Sequence, residues 1–331
     1  MGILEENYHK FKYANHIGKD ELSNLLETNI KMYLDWAFLS IGGWTNVVSG
    51  GLSGAYGGDF SRLYPVKDYS YTDGRVWRGA RKDWVYESGV DYVAATGGDA
   101  HNPLLVTGIE VDGTAVGGNT YHVNYPLGRI VFDEAKSTNS VVTAVHSFRD
   151  VQVYRADAAP WFRELQLRSL RVDSSHISQF GSGNWSIGEN HDIQLPAIIV
   201  EVVARGTSSP RQLGDGSLIM NQDILFHILS ESRHQRNNLM DILRYQDDKV
   251  IWLFNTHNAA TSTGYPLDFR GMVTGYGNMY PDLVAETGIY RGFRWNQCRF
   301  QDTQLADVAP IHENLHEAIV RTTAEVYFIP I

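Results

Sequence analysis

The stretch Leu195-Pro-Ala-Ile-Ile-Val-Glu-Val-Val-Ala204 is apolar at every position except Glu201. It is about half as long as the ~20 apolar residues that a membrane-spanning helix needs. Its β-branched and aliphatic side chains are typical of a strand that is covered on both faces. The stretch therefore predicts a buried strand, and membrane insertion is not expected.

The residues that follow complete a small unit around this strand. Asp223 to Leu229 is predicted as its antiparallel partner, although one long helix from Asp223 to Tyr245 is an alternative. Ser230 or Ser232 then begins a helix that carries Leu239, Ile242 and Leu243, and Lys249 to Phe254 forms a further strand. The result is a β-β-α-β module with a helix packed on one face of the sheet.

Short β-branched and aromatic runs, separated by turns, fill the region from Tyr71 to Arg155. These runs are Val76-Trp77, Trp84 to Tyr86, Ile109 to Val111, Tyr121 to Tyr125, Arg129 to Phe132, Val141-Val142, Ala144-Val145 and Val151 to Tyr154. Turn residues such as Asp112-Gly113 lie between them. This spacing predicts an antiparallel β-meander or a small barrel.

The two ends of the chain carry the remaining elements. Asp20 is predicted to cap a helix that runs to about Leu39 and ends at Gly42-Gly43, before a glycine-rich surface loop at 50–58. Near the carboxyl end, a long loop from Asn255 to Asp282 precedes an alternating strand from Tyr290 to Phe300. A helix from Ile311 to Thr322 and a strand from Val326 to Ile329 are predicted to follow.

The predicted fold class is α+β and β-rich, with the central β-β-α-β module and the meander as an insertion. Four segments are expected: an amino-terminal helix and loop (1–70), an antiparallel β module (71–160), the central α+β module (161–256) and a loop-rich carboxy-terminal extension (257–331). Neither an internal repeat nor a low-complexity tract is evident in the sequence.

Composition excludes several function classes. The formal net charge of −10 disfavours a phosphate-binding surface, which needs clustered Lys and Arg. The arginine and aromatic residues that alternate from Tyr290 to Phe300 suit a sheet strand or a protein interface as well as a nucleic acid. Cys298 is the single cysteine, so no internal disulfide can form. The amino terminus lacks signal-peptide features, and synthesis in a reducing cytoplasm is expected.

His312-Glu313-Asn314-Leu315-His316 matches the HExxH pattern of zinc proteases. On a helix, the two histidines would share one face and Glu313 would polarise a zinc-bound water. A third ligand at the usual spacing is missing, because Ile319 and Thr322 stand where the extended motif needs Gly and His. The alternative is an amphipathic helix with a polar face.

Other polar residues form no recognisable catalytic set. Histidines at 101, 122, 146, 176 and 191 are isolated in the sequence, and they are interpreted as ordinary core or surface residues. Asp157, Glu164, Asp192 and Glu201 suggest no acid/base pair. No catalytic, cofactor-binding or metal-binding residue is therefore predicted, and no cofactor is expected.

The runs Leu195 to Glu201, Arg211 to Gly216, Asp223 to Ser232 and Leu239 to Leu243 together resemble the core of neck and tail-completion (tail-terminator) proteins of tailed bacteriophages. Tyr121 to Asp133 is likewise similar to a hairpin of phage virion proteins. The resemblance covers roughly a fifth of the chain.

This resemblance implies a virion structural protein of the neck or tail end, not an enzyme. Copies would form a ring, with a hexamer as the expected symmetry, that joins or caps head and tail. Its implied partners are itself and other neck, tail-tube or sheath proteins, and DNA would pass through without specific binding. Two alternatives stay open: a zinc hydrolase that uses His312, Glu313 and His316, and a virion module that binds a host surface or carbohydrate through the aromatic-rich β region.

Overall fold

The computed structural model describes residues 22–48, 60–87, 89–90, 92, 102–169, 177–181, 183–187, 191–211, 217–261, 265–274, 278–285, 295–308 and 312–328. The fold is α+β and β-rich, as predicted. Its helices are α1 (Leu22–Ser40), α2 (Pro160–Ser169), α3 (Arg233–Arg244), α4 (Thr256–Thr261) and α5 (Tyr280–Leu283). A short 3-10 helix (Ala156–Ala158) precedes α2.

The first sheet has eight strands and holds most of the predicted meander. Its strands are β1 (Trp44–Val47), β2 (Arg62–Pro65), β3 (Val76–Arg78), β4 (Thr107–Val111), β5 (Thr114–Ala115), β6 (Tyr121–Asn124), β7 (Arg129–Phe132) and β8 (Val142–Arg149). Their order is β5-β4-β8-β2-β3-β7-β6, with β1 also paired to β8 and every pair antiparallel. The sheet packs around its own core, which includes Trp77, Trp84, Ile130 and Phe132.

Two predictions for this region need correction. Trp84 to Tyr86 is not a strand, since Trp84 makes only a single bridge to Phe148. The side chain of Trp84 is instead buried in the core, where its Nε1 donates to the carbonyl of Arg81 at 2.9 Å. Val141-Val142 and Ala144-Val145 do not form separate strands, because residues 142–149 form the single strand β8.

The next strand along the chain, β9 (Gln152–Arg155), leaves this sheet. A small three-stranded sheet follows, made of β10 (Ile177–Gly181), β11 (Asn184–Ile187) and β12 (His191–Gln194). One carboxylate oxygen of Glu231, at the end of the central hairpin, accepts hydrogen bonds from Gln179, from the Gly183 amide and from Trp185 at 2.6–2.8 Å. This contact fixes the small sheet to the larger sheet behind it.

The second large sheet has six strands in the order β15-β16-β17-β14-β13-β9. Beyond β9, its strands are β13 (Ala197–Pro210), β14 (Leu218–Ser230), β15 (Val250–Trp252), β16 (Trp295–Asp307) and β17 (His316–Phe328). Only the β9–β13 pair is parallel. The predicted hairpin of β13 and β14 is confirmed, so the alternative of one long helix from Asp223 is wrong.

The carboxy-terminal part of the chain differs most from its prediction. The predicted helix from Ile311 to Thr322 is wrong, because residues 316–328 form strand β17. Every second residue from Ala318 to Phe328 is buried, which is the period of a strand covered on one face. The segment 257–331 is therefore not mainly loops, since it supplies β16 and β17 between β14 and β15. The four-segment division stays a prediction, although this sheet crosses its boundaries at 160 and 257.

The buried strand predicted at 195–204 is confirmed as β13, and both faces of its first part, up to Val200, are covered. Val202 and Val203 are half-buried, and Ala204 is exposed. Ile198 and Val200 belong to a core with α1 and α3, whereas Ala197 and Ile199 belong to a core with α2 and the three-stranded sheet. The cover over β13 itself is α1, and α3 packs mainly on β14 and β17. Ser232 caps α3 as predicted, because its side chain accepts the amide of Gln235 at 3.1 Å.

Helix α1 confirms the predicted amino-terminal helix, although the proposed cap at Asp20 lies outside the described residues. The helix stops where Gly42 adopts a φ of 81°, with the amides of Gly42 and Gly43 bonded to the carbonyls of Leu39 and Phe38. None of the helices in the described part of the chain combines the length and apolar character needed to cross a membrane.

Candidate functional sites

The HExxH segment does not have the geometry that zinc binding on a helix requires. Residues 312–315 form a tight turn, in which the amide of Leu315 donates to the carbonyl of His312 at 3.1 Å. His316 then begins β17, opposite Ser230. The ring of His312 lies against Trp185, with centroids 5.4 Å apart. Among the residues that the structure describes, no three His, Cys, Asp or Glu side chains are grouped to hold a metal ion.

A different histidine, His227, is buried within the six-stranded sheet beside two carboxylates. His227 on β14 lies between Glu201 on β13 and Glu317 on β17. Its Nε2 is 2.8 Å from Glu201 Oε2, and its Nδ1 is 3.8 Å from Glu317 Oε1, beyond hydrogen-bonding range. The edge of Phe162 on α2 packs against the imidazole, with ring centroids 4.6 Å apart. The arrangement is a buried carboxylate–imidazole–carboxylate row across three strands.

The electrostatics of this row favour a charged histidine. Burial by itself lowers the pKa of His227, but the hydrogen bond to Glu201 and the nearby Glu317 outweigh it, so the pKa is raised overall. The same hydrogen bond lowers the pKa of Glu201 against the opposing effect of burial. Only 4 % of the His227 side chain is exposed, so a solute cannot reach the imidazole. The row therefore fixes β13, β14 and β17 to one another rather than offering an open site.

Sequence reasoning missed this row because its members are far apart in the chain. The sequence analysis assigns no partner to Glu201, and it does not consider His227. The available signal was that Glu201 and His227 both interrupt predicted apolar strands. A polar residue within a buried strand needs a partner, and an adjacent antiparallel strand is the nearest place for one.

Replacing His227 by glutamine is expected to lower the free energy of unfolding by about 1–3 kcal/mol near pH 6, because a charge-assisted hydrogen bond is lost. Because the pKa of His227 is raised, its contribution to the free energy of unfolding is complete below about pH 6.5. This contribution is lost as the pH rises through the folded-state pKa. Because the pKa of Glu201 is lowered, its contribution to the free energy of unfolding is present above about pH 4.3. The gap between wild type and variant should therefore be widest between these limits.

Urea unfolding at about pH 5.5 and about pH 8.5 measures this difference. His234, which is exposed on α3, supplies the matched control, and His234→Gln should change stability little at either pH. An equal loss for His227→Gln at both pH values would contradict a charged histidine in the folded protein.

The other residues considered from the sequence have ordinary roles where the structure describes them. His146 is buried against Trp84 with centroids 4.2 Å apart, and burial lowers its pKa to about 4. Burial likewise lowers the pKa of His122, with a smaller effect from Arg270. Asp157 pairs with Arg155 and Asp192 with Arg78. His101 and His176 lie outside the described residues.

A second polar cluster joins α1 to the eight-stranded sheet. Arg149 at the end of β8 is 3 % exposed, and its guanidinium contacts the carboxylates of Glu87 and Asp83, the latter at 3.4 Å. It also lies over the ring of Tyr86 and donates to the backbone carbonyl of Asp35 on α1. The carboxylate of Asp35 pairs with Lys31. Burial is the main cause that raises the pKa of Asp83 to about 6.

The third feature is a projecting part of the hairpin formed by β13 and β14. We call residues 202–211, which include the end of β13, and residues 217–222, which include the start of β14, the hairpin arm. Every residue from Ala204 to Arg211 is exposed, although this segment remains paired with Leu218–Gln222. A strand exposed over so long a run has both faces and its outer edge open to contact.

The two loops predicted at 50–58 and from Asn255 to Asp282 are placed only in part. Residues 50–58 lie outside the described residues. In the segment 255–282, the carbonyl of Gly271 accepts the amide of Tyr125 at 3.0 Å, so this loop is held against the β6–β7 turn of the same chain. Phe269 beside it is 96 % exposed.

Comparison with known proteins adds no identification. The chain matches no family model, and no curated protein matches it closely enough to count as a relative.

Proposed function

We propose that this protein is a structural subunit of a tailed-bacteriophage virion, located in the neck or at the tail end. Copies of it form a ring that joins or caps head and tail, and a hexamer is the expected symmetry. The proposal begins from the resemblance of the central module to tail-terminator proteins. The hairpin arm is the observation that supports it most, because a projecting strand with an open edge is suited to binding another chain.

The charge of the chain agrees with a role around moving DNA. At −10 overall, the subunit would not retain a polyanion that has to pass through the ring. Its other proposed partners are neck, tail-tube or sheath proteins. The zinc hydrolase is not carried forward as a second candidate, because its pattern needs a helix at 312–316, where the structure has a turn and the start of β17.

A module that binds a host surface or a carbohydrate is the second candidate. Tyr69 and Phe269 are almost fully exposed, and both lie in loops held near the β6–β7 hairpin. Asp68 pairs with Arg129 at 3.3 Å, and Gly271 bonds to Tyr125. Exposed aromatic side chains held in this way could stack on sugar rings or on another protein.

Light scattering and electron microscopy on the purified full chain test the main proposal. The protein should form rings of identical subunits, either alone or when mixed with purified tail tubes. Isolated monomers in both settings would end the proposal of a ring. Binding to host cells or glycans that Tyr69→Ala and Phe269→Ala abolish, with no ring in either setting, would favour the second candidate.

A further inference from the structure

The six-stranded sheet has an open edge along the hairpin arm. Strand β9 pairs with β13 only from Ala197 to Val200, so β13 has no neighbouring strand on that side beyond Val200 among the described residues. The amide of Val202 donates to Glu27 of α1 at 3.1 Å, and from Ala204 onward the strand is exposed. A register shift between Val202 and Gly206 separates this outer part from the covered part of the strand.

At the opposite edge of the same sheet, no described strand pairs with the outer side of β15, although the hydroxyl of Tyr280 donates to the carbonyl of Trp252 at 2.7 Å. Successive cross-strand pairs link Thr207 to Asn221, Asn221 to Glu325, Glu325 to Arg299, and Arg299 to Val250. Thr207 on β13 and Val250 on β15 therefore lie in one row across the sheet. Val250 is 44 % exposed on its edge strand. The two edge strands therefore lie on opposite sides of the sheet, and Thr207 and Val250 are at the same position along the strand direction.

The directions of these two edge strands fit a rotational arrangement of subunits. Four antiparallel pairings separate β13 from β15, so the two strands run in the same direction. A neighbour related by rotation about a ring axis can then place its β15 parallel to β13. A two-fold dimer would instead bring β13 against β13 in antiparallel orientation, and β15 would be left unused.

The charges of the two edges are complementary. The described part of the arm carries Arg205, which is 78 % exposed, and Arg211, without an acidic residue from Val202 to Arg211. Among the described residues, three aspartates (Asp247, Asp248 and Asp302) and two cations (Lys249 and Arg299) lie beside β15. Asp248 is 73 % exposed even though it pairs with Arg299. Opposite potentials of this kind steer association and fix which edges meet.

We propose that the hairpin arm of one copy pairs with β15 of the next copy, so that the six-stranded sheet continues from subunit to subunit around the ring. This inference rests on the proposed function and names the surface that the ring would use. Main-chain hydrogen bonds along Ala204–Pro210 provide the contact, and the arginines and aspartates select the partner edge.

Paired charge reversals in the full chain test which edges meet. Arg205→Glu with Arg211→Glu should raise the dissociation constant of the oligomer about tenfold or more, and Asp247→Lys with Asp248→Lys should do the same. Combining all four changes should restore most of the assembly. Arg62→Glu with Arg233→Glu makes the same charge change at exposed sites away from both edges, and it should leave assembly intact.

The outcomes separate this inference from the proposed function. A wild-type chain that stays monomeric even with tail tubes removes the ring itself. A wild-type ring in which Arg205→Glu with Arg211→Glu behaves like the control overturns the pairing of edges and leaves the ring. Weakening by both pairs of reversals without recovery in the combination shows that each edge meets some other surface, which also overturns the inference.

Cysteine cross-linking gives a second readout that does not depend on charge. Thr207→Cys combined with Val250→Cys should produce a ladder of covalent oligomers under mild oxidation, while either single variant should not. The native Cys298 is buried and does not interfere. Efficient dimers from Thr207→Cys alone would indicate two-fold contact between arms and would overturn the proposal. Ser208→Cys with Val250→Cys covers a pairing register shifted by one residue.

Discussion

Replacing Ile198 by aspartate is expected to leave the protein unfolded or insoluble. The Ile198 side chain is fully buried on β13, in a core that also contains Leu26 and Ile30 of α1. An isolated carboxylate in such surroundings costs several kcal/mol, and the lost apolar burial adds about 2 kcal/mol. The sum is comparable to the 5–15 kcal/mol by which a typical folded protein is stable.

The choice of Ile198 over its neighbour follows from the cross-strand pairs. Ile199 on the other face lies opposite His227, which favours its charged form, so an aspartate at 199 would meet a cation. Ile198→Asp removes that ambiguity. Ser208→Asp, on the exposed part of the same strand, is the matched control and should remain folded with near wild-type melting. Soluble Ile198→Asp protein that melts cooperatively within about 2 kcal/mol of wild type would show that β13 is not the core strand.

Replacing Arg149 by methionine is expected to lower the free energy of unfolding by about 3–5 kcal/mol at neutral pH. Methionine keeps similar volume but leaves the carboxylates of Asp35, Asp83 and Glu87 with Lys31 as their remaining cation in this cluster. Removing one partner of a buried ion cluster is costly because the remaining charges stay buried without compensation.

The pH dependence of this variant distinguishes charge from packing. Asp83 has a pKa raised to about 6, against about 3.9 in an unfolded chain, so its contribution to stability is complete below about pH 4 and is lost as the pH rises to about 6. Without Arg149 that pKa should rise further. Denaturation at about pH 5 and about pH 7.5 should show a smaller deficit at the lower pH. Arg149→Lys should fall between wild type and Arg149→Met, and an equal deficit for Arg149→Met at both pH values would point to packing alone.

The central hairpin was predictable because local pattern and tertiary context agree there. The apolar run at 195–204, interrupted only by Glu201, is typical of a strand covered on both faces, and both faces are covered up to Val200. Ser232 is a strong helix start before a polar-faced helix. Both signals depend only on neighbouring residues, and the structure has the strand and the helix that they predict. Within the eight-stranded sheet, the consecutive pairs β4–β5 and β6–β7 were predictable from their turns. The strand order is not that of a meander, because β8 pairs with β1, β2 and β4 from distant parts of the chain.

Only the end of β17, from Val326, was predicted as a strand, whereas its first part was predicted as a helix. Ala318, Val320, Thr322, Ala324, Val326 and Phe328 alternate with residues that are mostly polar, Ile319 excepted, which is a strand period over the whole run. The HExxH match at its start favoured a helix instead. This strand pairs with β16, which precedes it directly, and with β14, about ninety or more residues earlier in the chain, and no local signal indicates the second pairing. The Glu201–His227–Glu317 row was missed for the same reason.

The position of β17 in the sheet has a consequence for how the chain folds during synthesis. Its residues are synthesised well after those of β14, yet β17 pairs directly with β14 and lies between β14 and β16 in the sheet order. Until β17 has been synthesised, the edge of β14 that pairs with it is unpaired. The eight-stranded sheet is complete by residue 149, before β13 and β14 are synthesised. Nascent chains should therefore pass through a state with one finished half and one aggregation-prone half, in which chaperone binding would be concentrated on β13 and β14.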